Sequence, residues 1–117
     1  LSGEYATKTC CVVGVTGKLV RNEKPVAAAL ARAINEASDF VANYPAETAR
    51  IYSAYSKVSE ADLRAVLATL THKHHPQGQA LRQEIEFYAR DFKLVGVLKP
   101  GTDPARFAAH VHADVLT

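Results

Sequence analysis

A single run of residues has the pattern of a β-strand, and it restricts the folds that are open to the rest of the chain. The stretch TKTCCVVGV, residues 7–15, is rich in β-branched side chains, and residues 5–15 alternate between the two faces of an extended backbone. Residues 10–13 are apolar on both faces, which is typical of a strand that is covered on both sides. We therefore predict a strand over about residues 5–15 that needs neighbouring strands, although the remaining chain barely provides them.

The other residues follow helical periodicity. Pro25, Pro45 and Pro104 suit the first turn of a helix, and Ser59 and Asp103 suit the position just before one. A turn or a single helical turn is predicted over residues 17–22. Longer helices are predicted over about residues 25–42, 45–53, 59–71 and 78–94, and from residue 104 onward. We also expect the apolar stripe of the first long helix to pack inward, so the predicted chain is mostly α-helical with one or two β-strands.

Length and charge favour a single domain and argue against a membrane-spanning protein. The chain has 117 residues, which is enough for one domain with a modest core. Its 14 basic and 12 acidic residues alternate along the sequence, as on a solvated surface, and leave a net charge of +2. Charged residues interrupt every apolar stretch before the roughly 20 residues that a membrane-spanning helix needs. Because there is no methionine and no signal-peptide pattern, we expect a piece of a longer protein.

A histidine-rich stretch, THKHHP at residues 71–76, is the main candidate for a metal site. Neutral imidazole is a common metal ligand, but His74 and His75 are adjacent and point in different directions on any regular backbone. His110 and His112 are two residues apart, which places them on different sides of a helix. We predict no metal and no cofactor, and we interpret the stretch as a polar loop at a helix end.

The helices on either side of this stretch could also form a helix-turn-helix motif that binds DNA. However, Glu84 and Glu86 lie beside Arg82 and Arg90 in the second of these helices. These carboxylates would repel a phosphate backbone about as much as the two arginines attract it. We therefore predict no nucleic-acid partner.

The adjacent Cys10 and Cys11 are too close together for a CxxC motif, and neighbours on a strand project to opposite faces. Two buried thiols that fill a strand are therefore favoured over a redox pair. The sequence has no nucleophile motif, no glycine-rich phosphate loop and no distinctive pair of carboxylates. We predict that the chain is not an enzyme and has no catalytic residues.

The whole layout resembles a known family. The stretches KLVRNEKPVAAALARAINEASDFVANYPAETARIYS and EIEFYARDFKLVGVLKPGTDPARFAAHV, with a serine-capped helix between them, are similar to the C-terminal portion of periplasmic substrate-binding proteins of ABC importers. Within that superfamily the chain looks like the nitrate, sulfonate, taurine and bicarbonate group. The resemblance runs over about residues 4–116.

The resemblance implies an α/β parent of the type II-like periplasmic binding fold, with two lobes joined by a hinge. Residues 5–15 would return from the second lobe as a strand, and residues 18–116 would supply helices that cover the sheet of the first lobe. The implied function is capture of a small anionic or zwitterionic solute by hinge closure, followed by delivery to an ABC permease. The parent would be periplasmic, or exported and membrane-anchored.

By the same resemblance, Lys8, Thr9 and Cys10 are the expected solute contacts. An ammonium with neighbouring hydroxyl or backbone donors is a suitable receptor for an oxyanion, although a lysine that simply extends into water is the common alternative. Residues 9–11 depart from the bulkier polar and aromatic residues of the nitrate-type pattern. An uncovered strand edge also predicts pairing of two copies. The alternative function is a helical interaction or scaffold domain without a small-molecule ligand.

Overall fold

A computed structural model describes residues 3–69 and 75–116, and these residues are mainly α-helical. A single 3₁₀ turn, Gly3–Tyr5, precedes the α-helices. The α-helices are α1 (Gly17–Asn22), α2 (Lys24–Asn43), α3 (Pro45–Ser53), α4 (Glu60–Thr69), α5 (Gly78–Leu94) and α6 (Pro104–Val111). Within the described ranges, no helix is long and apolar enough to cross a membrane.

The predicted α/β class, with a strand over residues 5–15, is wrong, because the described part of the chain contains no strand and no sheet. Residues 6–16 form turns and irregular backbone instead. A strand needs another strand to pair with its backbone N–H and C=O groups, whereas those of Thr9 bond to side chains of α5. Val12 and Val13 are 59% and 53% exposed, so neither face of the backbone is covered at these two residues. Pairing of two copies stays a prediction, although residues 5–15 do not form the strand edge from which it was predicted.

The helices begin close to the positions that the sequence predicts. Pro45 opens α3, and the carboxylate of Asp103 accepts the backbone N–H of Arg106 at 2.9 Å in the first turn of α6. Before α4, the hydroxyl of Ser59 accepts the backbone N–H of Asp62 at 3.2 Å and donates to its carboxylate at 2.7 Å. Gly96, beyond the end of α5, has φ +82°, a conformation that favours glycine.

The chain divides into two compact units. The first takes in Leu1–Ala28 and Pro76–Thr117, and in it α5 packs against α6. The second takes in Ala29–His75, and in it α3 packs against α4. Ala49 of α3 is fully buried in the second unit, while Ala89 of α5 and Ala108 of α6 are buried in the first. Alanine at such positions lets two helices approach closely.

The buried apolar residues of the described chain are all small. They are Ala27, Ala28, Ala49, Ala89 and Ala108. The prediction that the apolar stripe of α2 packs inward is wrong for its larger members, because Val26, Leu30 and Phe40 are 51%, 42% and 39% exposed. The periodicity correctly places these residues on an amphipathic helix, but nothing within the described chain covers their side chains fully.

Candidate functional site

The N-terminal segment lies against one face of α5, and Thr9 is its main anchor. The backbone N–H of Thr9 donates to a carboxylate oxygen of Glu84 at 2.7 Å. The hydroxyl of Tyr88 donates to the carbonyl oxygen of Thr9 at 2.7 Å. Glu84 and Tyr88 are four residues apart, so they lie one turn apart on the same helix face and bind both backbone groups of a single residue.

Aromatic side chains extend this contact. The ring of Tyr5 makes an edge contact with Phe87 at a centroid distance of 5.7 Å and stacks on Tyr88 at 5.9 Å. The Tyr5 hydroxyl donates to a carboxylate oxygen of Asp91 at 2.5 Å. This hydrogen bond is the main reason that the pKa of Tyr5 rises to about 12. Burial, followed by the negative charge of Glu84, raises the pKa of Tyr88.

Lys8 and Thr9, two of the predicted solute contacts, are engaged with the protein itself. The ammonium of Lys8 lies 5.0 Å from the centre of the Phe87 ring, in a cation–π contact. The hydroxyl of Thr9 donates to the carbonyl oxygen of Cys11 at 2.9 Å, and the backbone N–H of Thr9 donates to the carboxylate of Glu84. The third predicted contact, Cys10, has an exposed thiol. Lys8, Thr9 and Cys10 are consecutive in the chain, and Lys8 and Thr9 both contact other groups of the protein.

The two cysteines are free and exposed, so the prediction of two buried thiols that fill a strand is wrong. Without a strand, their side chains are not forced to opposite faces. Interaction with the thiol of the adjacent Cys10 is the main cause that raises the pKa of Cys11. The hydrogen bond from Thr9 to the Cys11 carbonyl oxygen spans Cys10 and closes a short turn around it.

Sequence reasoning missed the part that α5 plays in this site. Glu84 was interpreted as a solvated charge, yet it is only 8% exposed and holds the N-terminal segment. Residues 84, 87, 88 and 91 share the spacing of one helix face, and this face also carries the aromatic contacts. The sequence did contain a signal for this role of α5, because Glu84 and Asp91 lie on an otherwise aromatic helix face. A carboxylate in such surroundings needs a hydrogen-bond donor.

No group of three or more histidine, cysteine, aspartate or glutamate side chains in the described ranges could hold a metal ion. His72 and His74, from the candidate metal stretch, lie outside the described residues, and His75 is exposed. Comparison with known proteins finds no matching family model, and no curated protein or solved structure matches the chain. The candidate site therefore rests on the geometry of residues 5–11 and α5.

Proposed function

We propose that the chain belongs to the solute-binding component of an ABC importer, located in the periplasm or exported and anchored to a membrane. In this role it would help to capture a small anionic or zwitterionic solute, such as nitrate or a sulfonate, for delivery to a membrane permease. The sequence resemblance motivates the proposal. The observation that carries it is the exposure of large apolar side chains on helices, because helices that cover another part of a larger protein keep such faces for that contact.

The exposed apolar side chains occur in both units. In α2 of the described chain, Val26 and Leu30 are 51% and 42% exposed. At and beyond the end of α5, Leu94, Val95 and Val97 are 85%, 71% and 70% exposed. Burying a fully exposed side chain of this kind stabilises a protein by about 1.5–3 kcal/mol, so further burial of these residues would favour contact with further polypeptide in each unit.

The contacts of Lys8 are compatible with solute binding. Lys8 and Phe87 are both half-buried, and a cation–π contact of this kind contributes about 0.5–2 kcal/mol, whereas a hydrogen bond to a charged group contributes about 1.5–3 kcal/mol. An oxyanion can therefore compete with the ring for the ammonium. The backbone N–H of Thr9 is less available to a solute, because the carboxylate of Glu84 already accepts it. The negative charge of that carboxylate would also repel an anion placed beside Thr9.

The test combines uptake with binding. Cells without the gene should lose import of one solute among labelled nitrate, taurine and bicarbonate, and the natural gene should restore it. The purified natural protein should bind the same solute in calorimetry. Lys8→Ala should weaken that binding at least about tenfold, which corresponds to loss of about 1.4 kcal/mol. Lys18→Ala, which changes an exposed lysine of α1, is the matched control.

The possible results of these experiments distinguish the importer function from the role of Lys8 as a solute contact. Unchanged uptake of every solute, together with no binding by the purified protein, would refute the importer function. Loss of uptake with equal affinities for Lys8→Ala and Lys18→Ala would keep the function and remove Lys8 from the site.

The second candidate is a helical interaction or scaffold domain with no small-molecule ligand. The observation that favours it is that the protein's own groups occupy the donors of Lys8 and Thr9, while the apolar helix faces stay exposed. In this case uptake would be normal, and Leu30→Asp would abolish association with a partner protein without a loss of helix content. Glu36→Asp, a change at an exposed polar position of the same helix, would leave that association intact.

A further inference from the structure

Helix α2 is the longest helix of the described chain, yet neither of the helix pairs that pack within the two units includes it. A helix in water gains most of its stability from the packing of an apolar face, so α2 needs a surface to pack against. One apolar stripe of this helix is exposed at every position, and its members are Leu30, Ala33, Ala37 and Phe40. We call these four residues the α2 seam, and all of them lie in the second unit.

The spacing of the α2 seam is that of a coiled coil. Its residues are separated by three, four and three positions, an alternation that keeps one stripe against a second helix. Tyr44 follows the same spacing, and its ring lies 5.1 Å from that of Phe40, so it extends the aromatic end of the seam. Small side chains in the middle of the seam, at Ala33 and Ala37, let two helix backbones approach closely.

The order of side chains along the α2 seam matches a second copy that runs in the opposite direction. The seam is symmetric about residue 35, because Leu30 and Phe40 are each five residues from it and Ala33 and Ala37 are each two residues from it. In an antiparallel pair centred there, Leu30 of each copy lies level with Phe40 of the other, and alanine meets alanine between them. A parallel pair would instead place the two Phe40 rings at one level and the two Leu30 side chains at another.

The charges beside the α2 seam favour the same direction. Arg32, Glu36 and Asp39 are exposed and follow one line along the helix. At a rise of about 1.5 Å per residue, the antiparallel pair places each Arg32 within about 3 Å, along the axis, of Glu36 and Asp39 of the other copy. The two Glu36 side chains also come within about 3 Å of one level, but an Arg32 of the other copy lies at the same axial distance from each. In a parallel pair this charged line would face the uncharged Ile34 and Val41.

We propose that the chain forms an antiparallel homodimer through the α2 seam, with residue 35 of both copies at the two-fold axis. Each copy contributes the same stripe and the same charged line, so the interface is self-complementary and closes with two chains. The dimer does not depend on solute capture, because Lys8 lies in the other unit. The exposed residues at the end of α5 remain free to contact further polypeptide.

Sedimentation equilibrium of the natural protein under reducing conditions should give twice the 12.7 kDa mass of one chain. Leu30→Asp should raise the dissociation constant of the dimer at least about 100-fold, because each dimer loses two buried leucines. Leu94→Asp is the matched control, since it makes the same change at a leucine that is 85% exposed outside α2. Its dissociation constant should stay within about threefold of the natural value. Both leucines are exposed in the single chain, so far-ultraviolet circular dichroism should show equal helix content.

The direction of the two helices is tested by cross-linking in a Cys10→Ser/Cys11→Ser background, which has no natural thiol. A mixture of Ala33→Cys and Ala37→Cys chains should form disulfide-linked dimers with oxidised glutathione. Either variant alone should not, because its two thiols would lie about 6 Å apart along the axis. A natural protein that keeps the mass of one chain at millimolar concentration would overturn the proposal. So would equal dissociation constants for Leu30→Asp and Leu94→Asp, or cross-linking of each cysteine variant alone but not of the mixture.

Discussion

Enlarging the side chain at Ala89 tests the contact between α5 and α6. Ala89 is 1% exposed in α5, and this helix packs against α6, which contributes the fully buried Ala108. Leucine has nearly the same helix propensity as alanine, so Ala89→Leu changes packing rather than the helix itself. Extra carbons in a closely packed contact cost about 1–3 kcal/mol. At about 4 °C per kcal/mol for a chain of this size, the melting temperature should fall by about 4–12 °C.

The assay is thermal and urea unfolding followed by far-ultraviolet circular dichroism. Ala80→Leu is the matched control, because Ala80 is exposed in the same helix. Its effect should stay within about 0.5 kcal/mol of zero, as is usual for surface substitutions. If Ala89→Leu and Ala80→Leu have the same free energy of unfolding, α5 and α6 are not in close contact at this alanine, and the packing reasoning fails.

Three further predictions concern single hydrogen bonds. Asp103→Ala removes the cap of α6 and should lower the free energy of unfolding by about 0.5–2 kcal/mol in urea titrations, and an unchanged midpoint would contradict this. Spectrophotometric titration should find Tyr5 with a pKa of about 12, and Asp91→Ala should bring it back toward 10.0. Since folding raises this pKa, the stabilisation by that hydrogen bond is present below pH 10.0 and is lost as the pH rises through about 12. Tyr88→Phe should cost about 0.5–1.5 kcal/mol and speed hydrogen exchange of the Thr9 amide, and equally slow exchange would argue against the contact.

The helices could be predicted because their ends are marked locally. Proline in the first turn of α3 and the aspartate cap of α6 act through backbone groups within a few residues, so no knowledge of the rest of the fold is needed. The inward packing of α2 is a different kind of prediction. An amphipathic stripe shows which face is apolar, but whether Leu30 is covered depends on what else lies against it, and the periodicity of one helix contains no information about that.

The candidate site was only partly predictable for the same reason. The sequence drew attention to residues 8–10 through their polarity and through a family resemblance, and their role as solute contacts stays a prediction. The face of α5 that holds this segment was missed, because Glu84 has its donor at Thr9, 75 residues away in sequence. A charge pattern within one helix cannot reveal a partner at such a distance, so a buried carboxylate was interpreted as a solvated one.

The absence of a strand over residues 5–15 and the exposure of the thiols have a common cause. β-Branched residues favour a strand only when other strands or packed neighbours meet them, so the same run adopts another backbone when different partners are available. Here Glu84 and Tyr88 bind the two backbone groups of Thr9, which a neighbouring strand would otherwise have to pair. In a strand covered on both sides, the next two residues would be buried on opposite faces. Because the backbone turns after Thr9 instead, both Cys10 and Cys11 are exposed. The two contacts from α5 thus account both for the failed strand prediction and for the exposure of both thiols.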